Sequence, residues 1–76
     1  MKIDFDTLIK DSGQHISKRQ LAREMTAKGL FQNEASAERM IYYHQSGKAK
    51  GCDYLLLQYL AERFNRPVSE IINWDN

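Results

Sequence analysis

The sequence predicts an all-α fold, a compact bundle of about five short helices. Two observations carry this reading. Apolar residues recur at helical spacing along most of the chain, and no stretch alternates convincingly with period two. Between the apolar runs stand residues that start and stop helices: Ser17, Asn33 and Asp53 at beginnings, Gly29, Gly47 and Asn65 at ends. The tract YLLLQYL is the best strand candidate, but it continues with helical spacing to Phe64 and lacks β-branched residues, which places it in a helix. At 76 residues and 42% apolar, the chain allows one domain, residues 1–76, around one small core.

A first short helix is expected over about Asp4 to Lys10, with Phe5, Leu8 and Ile9 on one face, broken by Ser12 and Gly13. Ser17 opens a second helix, in which SKRQ reads as a capping box and Leu21, Ala22 and Met25 form the apolar stripe. Gly29 suits the left-handed residue after its end, and Leu30 and Phe31 anchor the connector. Asn33 caps a third helix running to about Ser46, with Glu34 favoured in its first turn. Its inner edge is Ala37, Ile41 and His44, with Met40 beside them. Asp53 caps a fourth helix whose buried stripe is Leu57, Leu60, Ala61 and Phe64. Pro67 then opens a short fifth helix, VSEIINW, in which Val68, Ile71, Ile72 and Trp74 close the core.

Composition excludes several function classes. Cys52 is the one cysteine, so no internal disulfide can form, and the expected compartment is reducing and cytoplasmic. The N-terminus has no uninterrupted apolar run of the signal-peptide kind, and no stretch is long and apolar enough to span a membrane. His15, His44 and Cys52 lack metal-ligand spacing, so no metal or cofactor is expected. Gly47 to Gly51 lacks the features of a phosphate-binding P-loop. No constellation supports catalysis, no small-molecule ligand is evident, and the chain reads as a non-enzyme.

Net charge is only +1, but it is unevenly spread. Between residues 17 and 50, Lys18, Arg19, Arg23, Lys28, Arg39, Lys48 and Lys50 outweigh Glu24, Glu34 and Glu38, while both ends are acidic. A field of this shape orients a small domain on an anionic surface even near neutrality.

The order QLAREM, then a helix ending YYHQSGKAKG, then YLLLQYLAERFNRPVSEII resembles the helix-turn-helix domain of the phage Cro and repressor type, the Xre family, over about residues 17–72. Leu21–Ala22 match its first motif helix, Gly47–Lys48 the close of its recognition helix, Leu60–Ala61 and Phe64 the next helix, and Val68, Glu70 and Ile71 the last. The chain departs from the pattern around TAKGLFQNEAS, where it is longer, so longer motif helices or a widened turn are expected. Arg66 also stands where the family has an apolar residue.

The resemblance implies sequence-specific binding of double-stranded DNA by a repressor-like transcriptional regulator of bacterial or phage type. The implied contact set is Lys18, Arg19, Gln20, Ser36, Glu38, Arg39, Tyr42, Tyr43, Lys48 and Lys50. Arg39 suits guanine O6 and N7. Lys48 and Lys50 suit phosphates, as do Lys18 and Gln20 at a helix start. At least one of Tyr42 and Tyr43 is expected to pack in the core instead. Such regulators commonly bind as two-fold dimers, and the short last helix with Trp74 is the expected homodimer surface unless Trp74 folds into the core. The alternative reading is a protein-interaction module, such as an antitoxin or phage accessory protein that keeps the fold.

Overall fold

The computed structural model describes residues 1–72. It is a compact all-helical structure, 61% helical, with four helices rather than five. The helices are α1 (Phe5–Ser12), α2 (Lys18–Ala27), α3 (Glu34–Gln45) and α4 (Tyr54–Phe64), followed by a single 3-10 turn at Val68–Glu70. No strand occurs among the described residues.

Each helix starts where the sequence supplies an oxygen for its free amides. Asp4 accepts from Thr7 N–H, Ser17 from Gln20, Asn33 from Ser36 and Asp53 from Leu55. In the SKRQ segment only the forward half of the capping box forms, because the Gln20 side chain is exposed and makes no return bond. Asp4 is therefore the cap of α1 rather than its first residue.

Three helices end in the same paired hydrogen bonds, the Schellman arrangement. After α2, Gly29 N–H donates to Thr26 and Leu30 N–H to Met25. After α3, Gly47 donates to His44 and Lys48 to Tyr43; after α4, Asn65 donates to Glu62 and Arg66 to Ala61. The motif needs a left-handed residue, which Gly29 (φ 82°), Gly47 (φ 78°) and Asn65 (φ 53°) provide.

The core contains Phe5 and Leu8 of α1, Leu21, Ala22 and Met25 of α2, Ala37 and Ile41 of α3, and Leu56, Leu60 and Phe64 of α4. α2 and α3 share the most extensive contact of any two elements. In α4 the deepest stripe is Leu56, Leu60 and Phe64, with Leu57 and Ala61 at its margin. Three consecutive leucines leave the helix phase ambiguous, and packing selects Leu56. Ile3 is fully buried ahead of α1, its N–H donating 3.0 Å to the His44 carbonyl.

The expected fifth helix is one 3-10 turn, held by Glu70 N–H to Pro67 and Ile71 N–H to Val68. Ile71 and Ile72 close the core as expected, but Val68 is exposed. A three-residue turn has too few hydrogen bonds to propagate as an α-helix. The expectation for Trp74 falls outside the described residues.

Polar ties connect the elements. Arg63 of α4 donates to both carboxylate oxygens of Glu24 of α2, at 3.0 and 3.4 Å, in a partly buried pair. Gln45 of α3 clamps the start of α1, donating to Asp4 at 3.1 Å while its oxygen accepts from Asp6 N–H at 3.2 Å. That amide bond, with the Thr7 backbone N–H, holds the Asp4 carboxyl below the usual carboxylate range. Arg66 bridges Asp11 of α1 (3.9 Å) and Glu70 (3.5 Å).

His44 is the buried polar residue of the core, 1% exposed. Desolvation, aided by the positive amino end of the chain, holds its pKa below the ordinary 6.5. The unfolded chain therefore takes up this proton first on acidification. His44's contribution to stability is full above pH 6.5 and is lost as pH falls through the lower folded-state value. Urea denaturation should give a midpoint that falls between about pH 7 and about pH 5, and His44→Leu should flatten that dependence. A profile equally steep in the variant would assign the acid sensitivity to other groups. Separately, a Cβ at Gly29 meets nothing within 4 Å, so Gly29→Ala isolates the cost of the left-handed backbone. It should destabilise by about 1–2 kcal/mol in thermal melts, while Gly51→Ala, equally open and without a positive φ, should be close to neutral.

Candidate nucleic-acid interface

Arg19 and Arg23 lie one turn apart on α2, and Glu34 and Glu38 one turn apart on α3. The two helices meet so that these residues form a ladder. Arg19 pairs with Glu38 at 3.5 Å and Arg23 with Glu34 at 3.2 Å. Lys18, at the start of α2, pairs with Asp6 of α1 at 3.2 Å. Between α2 and α3 opens a groove of about 250 Å³ lined by Lys18, Arg19, Glu38, Ile41, Tyr42 and Gln45. The fold thus brings Lys18, Arg19, Glu38 and Tyr42 together, although the first three already have intramolecular partners. Exposed pairs of this kind are worth at most about 1 kcal/mol and exchange partners readily.

The solvent face of α3 carries two adjacent stripes. Ser36, Arg39 and Tyr43 follow i, i+3, i+7 spacing, and Glu38 and Tyr42 follow i, i+4. All five side chains are exposed. Tyr42 is 63% and Tyr43 43% exposed, so neither packs in the core, contrary to the expectation for one of them. With Ala37, Ile41 and His44 on the inner edge, helical phase turns positions 42 and 43 outward.

The basic connector folds back onto this face. Left-handed Gly47 reverses the chain, and Lys48 N–H bonds the Tyr43 carbonyl at 3.0 Å. The Lys48 ammonium lies 5.8 Å from the centre of the Tyr42 ring, at the outer limit of a cation–π contact. Lys48 is therefore held beside α3 rather than loose on a flexible loop. Among the described residues, Arg39, Lys48 and Lys50 have no carboxylate partner. Gln20 and Lys50 are exposed but are not among the groove residues.

Gln45 is a lining residue that sequence reasoning missed, because its role depends on α1 lying across the end of α3. The Arg–Glu ladder had a signal in its one-turn spacing on each helix, but only the helix contact reveals which charges meet. The α2–α3 connector spans residues 28–33, and α3 is 12 residues long.

Among the described residues no three His, Cys, Asp or Glu side chains converge to hold a metal ion. Burial, with Asp53 beside it, pushes the Cys52 thiol up to about 11, so it stays protonated and weakly nucleophilic at neutral pH. No helix among the described residues is long and apolar enough to cross a membrane.

Comparison with protein-family models, with curated proteins and with solved structures yields no match.

The weakness of exposed pairs makes the ladder testable. Glu38→Gln should free Arg19 and change folding stability by under about 1 kcal/mol in urea titration. A loss of several times that would make the pair a structural anchor of α3.

Proposed function

We propose that this chain binds double-stranded DNA as a small transcriptional regulator, repressor-like and of bacterial or phage type, with α3 entering the major groove. The observation that carries the reading is the outer face of α3. Arg39, Tyr42 and Tyr43 are exposed there with Lys48 beside them, Lys50 is exposed two residues further on, and the three cations have no acidic partner among the described residues. Core packing has no use for this face, and its chemistry suits a polyanion. Cations neutralise phosphates, tyrosine hydroxyls donate to phosphates or bases, and Arg39 at mid-helix suits a guanine edge. The helix–connector–helix layout of α2 and α3, with the longer connector, is consistent with the resemblance to the Xre family. In this reading Lys18 and Arg19 exchange Asp6 and Glu38 for phosphate on binding. A homodimer on two half-sites follows from the same resemblance.

The second reading is a protein-interaction module of the antitoxin or phage-accessory kind. It is favoured by Tyr54 and Leu55, exposed together at the start of α4.

Titration of random duplex DNA at several salt concentrations separates the two. DNA binding predicts affinity that falls steeply with salt. Lys48→Ala with Lys50→Ala should weaken binding to all sequences and reduce the slope by about two units. Glu38→Gln should strengthen binding by removing a negative charge from the groove. No binding at low salt, or the same salt slope in the double variant, would remove this face from a DNA interface and leave the second reading.

A further inference from the structure

Among the described residues lining the groove between α2 and α3, Glu38 is the acidic one, beside Lys18, Arg19 and Tyr42. A carboxylate at that point repels a polyanion and lowers its affinity. Glu38 is also held loosely. Arg19 Nε lies 3.5 Å from it as an ion pair without a hydrogen bond, whereas Arg23 donates to Glu34 at 3.2 Å. The Glu38 side chain is 44% exposed, so its carboxylate can accept from a donor outside the chain.

The base edges of the major groove decide which donor that is. When phosphates draw Arg19 away, the Glu38 carboxylate loses water against the DNA with no partner of its own. A desolvated ion without a donor is costly, so duplexes that supply a donor at this point are favoured. In the major groove only cytosine N4 and adenine N6 present N–H groups. Guanine O6 and N7 and thymine O4 are acceptors, and they repel a carboxylate. Adenine also sets its N7 acceptor beside the amine, facing the second carboxylate oxygen, where cytosine has only a C–H. Cytosine therefore suits Glu38 above the other three bases. Arg39, the next residue of α3, suits guanine, the pairing partner of cytosine, so the two side chains favour the same kind of base pair.

We propose, on the reading that α3 enters the major groove, that Glu38 selects cytosine in the bound duplex, its carboxylate accepting from the N4 amine. Glu38 thereby lowers affinity for DNA in general and raises discrimination among sequences.

The test is selection of duplexes from a random-sequence pool at low salt by the unaltered chain, by Glu38→Ala and by Glu38→Gln, followed by titration of the selected duplex. The unaltered chain should enrich a motif with a fixed cytosine position. Glu38→Ala should leave that position unspecified and keep the rest of the motif. Glu38→Gln should move it to adenine, because an amide donates to N7 while it accepts from N6. Replacing that C·G pair by T·A in the selected duplex should weaken the unaltered chain about tenfold and Glu38→Ala less than about twofold. A cytosine position retained by Glu38→Ala, or an equal loss in both proteins, would overturn the assignment of Glu38 and leave DNA binding by α3 standing. A pool that enriches nothing, with no binding to random duplex at low salt, would overturn the DNA reading and the role of Glu38 with it.

Discussion

The structure depends on burial of the inner edge of α3. Ala37, Ile41 and His44 lie in the core, and α2 makes the fold's most extensive helix contact with this helix. Ala37 of α3 and Ala22 of α2 are fully buried, and such small side chains allow close helix packing. The His44 carbonyl receives Ile3, and the next residue, Gln45, clamps the start of α1. Once this edge is inside, a 3.6-residue period leaves Arg39, Tyr42 and Tyr43 no alternative to solvent. The exposed face is thus a consequence of the core.

The helices are short, between 8 and 12 residues, and helices of that length are marginal in water by themselves. Local signals define where each begins and ends, but packing must hold them. Polar ties supplement a small core. Glu24–Arg63 joins α2 to α4 with two hydrogen bonds in partial burial, where charge-assisted bonds count for more than at the open surface. Arg66 joins the end of α1 to the last turn. The Arg19–Glu38 and Arg23–Glu34 pairs are more exposed and add little to stability.

The two sides of α3 have opposite physical characters. Outside, cations and phenol rings stand in water with few partners of their own. Inside, a neutral imidazole sits among apolar walls. The near-neutral total charge conceals this arrangement, because acidic residues at the chain ends and in the inter-helix ladder offset cations that cluster in space.

From the residues alone, the all-α class, all four helices and most of their ends were legible. The reason is local: a capping oxygen or a left-handed glycine acts within four or five residues of its own position. The inner edge of α3 was legible for the same reason, since Ala37, Ile41 and His44 repeat at helical spacing. Tertiary structure decided what depends on contacts across the chain. It selected Leu56 over Leu57 in a run of leucines whose phase is locally degenerate. It turned both tyrosines outward, buried Ile3, reduced the last helix to one turn and left Val68 exposed. It also paired Arg19 with Glu38, two residues the sequence had assigned to an external partner. A charged side chain's partner is set by which helix faces meet, and that is fixed by the packing of the whole core.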